Sequence, residues 1–231
     1  SDLPDVSNGM SATPRRYFDN AATSFPKPPA VTDAMTHYAT EIGSSPGRGS
    51  YAESLAGAAV IDTCRERLNT LFTGTGPERF IFTLNTSDAL NLAIKGMVAL
   101  ARKRRPRKPI HAVTTAMAHN SVLRPLNALA DDGLTPAVTW TRVDVNPETG
   151  LADPDAIAAA LTDDTLFVAI DHASNVSGTR RPIEAIAVRC RARGVPLIID
   201  AAQTAGRVPM DLTALGADLV ANGRERLGQG P

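Results

Sequence analysis

Apolar and polar positions alternate along this chain in two different periods. Short apolar runs at 79–83, 111–115, 137–143, 165–170, 196–199 and 218–221 are bounded by Gly, Pro or charged residues and read as strands. The run 196–199 is aliphatic throughout and reads as a strand buried on both faces. Between the strands, apolar residues recur at three- and four-residue spacing, which predicts helices over 31–42, 51–72, from Asn85 onward, and over 117–132, 154–161, 183–193 and 211–215. The long helix 51–72 is expected to turn Ala59, Val60, Thr63, Leu68 and Leu71 inward. Strands and helices in alternation predict an α/β fold, a mostly parallel sheet with helices on both faces.

The central run Pro196-Leu197-Ile198-Ile199 stops at Asp200, and the small residues Ala201 and Ala202 and the amide of Gln203 follow. In open α/β sheets, ligands gather at the carboxyl ends of such strands. A plain helix N-cap is the competing explanation of Asp200. Three further strand ends are polar: Asn85-Thr86-Ser87-Asp88, then His119-Asn120-Ser121, then Asp171-His172-Ala173-Ser174-Asn175. At the first, Asn85 with Asp88 three residues later has the form of a capping box. Thr86 and Ser87 then add two hydroxyls at a helix N-terminus, where the positive dipole end favours phosphate. A loop rich in glycine, 43–50, carries Arg48 and suits either an anion or a plain connector. The convergence of four polar ends on one edge is what argues for a site.

Composition narrows the function. Hydrophobic content is 43%, charged content 21% and formal net charge zero, which predicts neither a nucleic-acid nor a membrane-surface partner. The basic run 102–108 has no interleaved aromatics and reads as a solvated loop. No apolar run reaches the roughly 18 residues of a membrane span. Residues 1–16 lack the apolar core of a signal peptide and read as a flexible arm. The two cysteines, Cys64 and Cys190, are far apart in helical contexts, expected as small buried hydrophobes in a reducing cytoplasm.

The four ends suit a planar, phosphorylated, cationic aromatic cofactor. Thr86 and Ser87 supply its phosphate site, Asp200 a counter-charge for a protonated ring nitrogen, and His119 a flat partner for the ring face. Asn175 or Gln203 offers an amide to a phenolic oxygen. That describes pyridoxal phosphate better than a dinucleotide, whose glycine fingerprint is missing.

The same motifs resemble the class V aminotransferase family of fold type I pyridoxal-phosphate proteins, within it the cysteine desulfurase and selenocysteine lyase branch. They run in family order from Tyr17-Phe18-Asp19-Asn20-Ala21-Ala22-Thr23-Ser24 and Pro46-Gly47-Arg48-Gly49, through Thr86-Ser87-Asp88, His119-Asn120-Ser121 and Ser174-Asn175, to Asp200-Ala201-Ala202-Gln203. The resemblance implies that Thr86, Ser87, His119, Asn175, Asp200 and Gln203 bind the cofactor, with Asn20 and Arg48 on the substrate side. It implies a homodimer acting on a small amino acid. It also exposes a departure, because aligned without gaps Arg226 stands where the family's Schiff-base lysine is expected. A guanidinium stays protonated and is no amine nucleophile. The expected organisation is an arm (1–16), an incomplete cofactor-binding large domain (17–221) and a divergent tail (222–231), without the family's C-terminal small domain. Two readings follow: an inactive desulfurase-like domain that holds pyridoxal phosphate noncovalently, or a short homologue serving as a ligand-binding or oligomeric structural module.

Overall fold

The computed structural model describes residues 16–20 and 22–223. Its centre is a five-stranded sheet: β1 (Ile110–Thr115), β2 (Val138–Val143), β3 (Thr165–Asp171), β4 (Leu197–Asp200) and β5 (Leu219–Ala221). The strand order is β2-β1-β3-β4-β5, and every neighbouring pair is parallel. Seven α-helices connect or flank the strands: α1 (Pro29–His37), α2 (Ala52–Leu71), α3 (Thr86–Arg104), α4 (Asn120–Ala130), α5 (Pro154–Ala160), α6 (Ile183–Ala192) and α7 (Leu212–Leu215).

Side chains alternate across a strand, so each aliphatic strand feeds two cores. Leu197 and Ile199 of β4 join Val168 and Ile170 of β3 in a cluster closed by Ile157 of α5 and Ile183 and Ile186 of α6. Ile198, Phe167 and Ala112 point the other way, against Leu90 and Ile94 of α3 and Val122 and Leu126 of α4. Each such buried aliphatic contributes about 1.5–3 kcal/mol. All four residues of β4 are buried, the three aliphatics between two helical layers and Asp200 at the strand's end. The α/β fold expected from the alternation is the fold observed.

Three local expectations are corrected. The run 79–83 is no strand: Pro77–Arg79 forms a 3₁₀ turn, and the chain then continues extended but outside any ladder. It is held instead by Arg65 of α2, whose Nε donates to the Phe80 carbonyl at 3.1 Å and whose guanidinium lies over the Phe82 ring. This stretch and β5, an edge of the sheet, both line a cavity of about 1060 Å³. The inward face assigned to 51–72 is also wrong. Ala59, Val60, Thr63 and Leu71 are exposed, Leu68 is half-buried, and the helix buries Ser54 and Gly57. Close approach decides this: a Cβ on Gly57 would lie 3.3 Å from the Ser44 carbonyl, so α2 docks through its smallest residue. With that face goes Cys64, which is exposed, while Cys190 is buried as expected. Finally, the helix expected over 31–42 gives up its α form at His37 and ends in a π-helical turn, Tyr38–Ile42.

Candidate cofactor site

The carboxyl ends of β1, β3 and β4 and the N-terminus of α3 open on one cavity of about 370 Å³. Thr86, Ser87, His119, Asn175, Asp200 and Gln203 all line it. Ala22, Ala173 and Ala202 line it too, and their small side chains leave it room.

Asn85 and Asp88 are both used up in starting α3. Asn85 Oδ1 accepts from Asp88 N at 2.9 Å, and Asp88 Oδ2 accepts from Leu84 N at 3.2 Å. Thr86 and Ser87 are therefore left as the first two helical residues, with hydroxyls at the positive end of a 19-residue helix. His119 is the N-cap of α4: its Nδ1 accepts from Ser121 N at 3.1 Å, which requires that nitrogen to be the unprotonated one. Ser121 Oγ lies 2.8 Å from the same Nδ1 and 2.6 Å from Ser87 Oγ. A three-membered polar chain thus ties the hydroxyl at one helix start to the imidazole at the next.

Asp200 ends β4 almost fully buried, and its Oδ1 accepts from Ala202 N at 3.0 Å. No helix follows it; residues 202–207 form turns, and Gln203 lies on the first of them. Asn175 sits on a tight turn whose Ser174 Oγ accepts from Val176 N and Ser177 N, both at 3.2 Å. Asn20 is placed at one remove: its carbonyl accepts from Arg207 Nη2 at 2.7 Å and its Oδ1 from Phe25 N at 3.1 Å, which clips Asn20 onto the 202–207 turns, and nearby Ala22 lines the cavity. Asn20 itself and the exposed Arg48 are not among the lining residues.

Two lining residues escaped the sequence reading, Ser121 and Asp171. Ser121 had a signal, because it holds the second helical position of α4 as Ser87 does in α3. Asp171 had none, since its meaning depends on an arginine ten residues later.

No lysine lines the cavity. Lys27 Nζ donates to Thr23 Oγ1 at 3.1 Å and Ser24 Oγ at 3.3 Å, and Arg226 lies outside the described residues. No thiol lines it either, and burial, helped by Asp218, pushes Cys190 up to about 11, far from a thiolate. Among the described residues no cluster of His, Cys, Asp and Glu could hold a metal. The donor set does fit pyridoxal phosphate: hydroxyls at a helix N-terminus, a flat imidazole, a buried carboxylate and two amides. Its volume falls in the range of small-molecule sites.

The fold is the α/β architecture of fold type I pyridoxal-phosphate proteins. The chain belongs to the class V aminotransferase family, whose profile (Aminotransferase class-V) matches residues 16–227. It is 34% identical over 205 residues to the mitochondrial cysteine desulfurase of Drosophila melanogaster, covering 88% of this chain and 42% of that protein. It is 33% identical over 206 residues to the cysteine desulfurase IscS of Vibrio atlanticus, covering 88% of this chain and 48% of the relative. Among solved structures, SspA in complex with cysteine superposes with a TM-score of 0.81 at 25% identity, covering 92% of this chain and 58% of that one. An apo cysteine desulfurase from Thermococcus onnurineus NA1 gives 0.76 at 28% identity, covering 89% and 48%. The chain thus spans about half the length of the curated relatives it matches.

Proposed function

We propose that this chain is the cofactor-binding large domain of a cysteine desulfurase-like protein, and that it binds pyridoxal phosphate noncovalently and is inactive on its own. The observation that carries the reading is the gathering of six side chains from four element ends around one cavity that no lysine lines. Thr86, Ser87 and the α3 N-terminus hold the phosphate, His119 stacks on the ring, Asp200 pairs with the ring nitrogen, and Asn175 and Gln203 meet the phenolic oxygen. Bound there, the cofactor supplies an electron-accepting ring. This chain's residues orient it and keep its nitrogen charged. Asn20 and Arg48 belong on the substrate side. Similarity to a structure solved with cysteine supports a small amino acid such as cysteine as the substrate class. A homodimer in the cytoplasm completes the proposal. Among the described residues no helix is long and apolar enough to cross a membrane.

Arg226 at the expected lysine position favours the second reading, a noncatalytic ligand-binding or oligomeric module. Absorbance titration with pyridoxal phosphate, then borohydride reduction and intact mass, tests both. Saturable binding that dialysis reverses, with no mass added on reduction, is the expected result. Ser87→Ala and Asp200→Asn should each weaken binding about tenfold. A cofactor fixed to one lysine would overturn the noncovalent reading, and no saturable binding at all would leave the module.

A further inference from the structure

Asp171 ends β3 beside Asp200, its register partner on β4. Parallel strands lie about 4.8 Å apart, so two carboxylates stand side by side, and both line the cavity. Left alone, such a pair shares a proton, and the charge facing a ligand is ill defined. Here Asp171 is met from behind by Arg181, whose Nη2 donates to Oδ2 at 3.0 Å and Nε to Oδ1 at 3.3 Å. The pair is buried, with side-chain exposures of 0% and 5%. Thr115 Oγ1 donates to the same Oδ1 at 3.5 Å, and Arg181 Nη1 donates to the Gly150 carbonyl. The guanidinium is therefore fixed between β3 and the turn that contains Gly150.

We propose that the Asp171–Arg181 pair is a positioning device that keeps the charge of Asp171 from adding to that of Asp200 beside the ring nitrogen. The proposal rests on the cofactor reading above. Ion pairs this buried are often replaceable by apolar residues at little cost in stability, so stability alone gives no reason to place one on a cavity wall. The other groups near Asp171 do not do its work. His119 lines the cavity from α4. His172, next in sequence, turns its Nδ1 to Thr204 Oγ1 at 3.0 Å, and the charge of Asp171 bears on it less than burial and the charges of Arg180 and Glu184 do.

The test is a charge series read in the protein without and with pyridoxal phosphate: Arg181→Met, Arg181→Lys, Asp171→Asn and the double variant Asp171→Asn with Arg181→Met. Carboxyl ¹³C NMR of the ligand-free protein follows Asp200. Arg181→Met should raise its midpoint by about one to two pH units, and Asp171→Asn should lower it. Arg181→Lys and the double variant should stay near the original value. With pyridoxal phosphate bound, the pH midpoint of its absorbance should move in the same two directions. A purely structural pair would destabilise both single variants without moving the Asp200 midpoint in opposite senses, and that outcome overturns the proposal. Should the NMR shifts appear while no variant binds pyridoxal phosphate, the charge arrangement stands and the cofactor reading falls. Should Arg181→Met fail to fold, Asp171→Asn and the double variant still decide.

Discussion

Two histidines are kept neutral by their surroundings. His111 is buried on β1 with Nδ1 2.9 Å from Thr165 Oγ1 and Nε2 2.9 Å from Thr141 Oγ1. Burial lowers its pKa against a weaker opposing pull from Asp164. Burial, then the Arg180 charge, lowers that of His172 as well. In the unfolded chain both titrate near 6.5. As pH falls below that value the unfolded form takes up protons that the folded form refuses, so the stability these residues add is complete above about pH 7 and is lost on acidification. Asp132 and Asp211 are both held below the usual carboxylate range, Asp132 mainly by its hydrogen bond from Arg102 and Asp211 mainly by that from Thr213, and they act at lower pH, outside this window. The urea midpoint should therefore be lower at pH 5 than at pH 7. His172→Gln should shrink that difference; an unaltered difference would mean that His172 does not carry it. Among the residues that line the smaller cavity, Thr86, Ser87, His119, Asn175, Asp200 and Gln203 were legible because each closes or follows an apolar run. Asp171 was not, because the meaning of a charge lies in its neighbours across the sheet.

The element on which the site depends most is α3. Its first turn is fixed by Asn85 and Asp88 together, and the same turn presents Thr86 and Ser87. Asn85→Ala should cost about 1 kcal/mol in urea denaturation. It should also weaken pyridoxal phosphate binding, although residue 85 does not line the ligand cavity. Loss of stability with unchanged affinity would show that the hydroxyls hold their places without the cap. This helix start could be read from sequence because capping is local, spanning three residues. The face of α2 could not, because a face is chosen by what lies opposite. Gly57 against the Ser44 carbonyl is a contact between segments, and no periodicity encodes it. The false strand at 79–83 failed for a related reason: apolar alternation proposes a strand, but only a neighbouring backbone makes one.

Over the whole molecule the sheet is unevenly finished. Its β4 centre is sealed between two cores, whereas β5 is short, and Leu219 on it is 41% exposed. Across the large cavity, Ile81 and Leu84 are 74% and 81% exposed. Unpaired edges beside apolar side chains favour association through added strands. Sedimentation velocity should show concentration-dependent association, and Leu219→Lys with Ile81→Lys should reduce it. Identical profiles for the two proteins would place any interface elsewhere.

That open edge also bears on how long the protein survives in a cell. Exposed strand edges and apolar extended segments are what chaperones and proteases engage, and the fraction of molecules lost depends on how often such a surface is presented. The exposed apolar surface of the gap beside β5 adds to that frequency. Any polypeptide strand that fills it stabilises the folded form by mass action, in proportion to the logarithm of its concentration. Abundance of this protein would then report the supply of whatever completes its sheet.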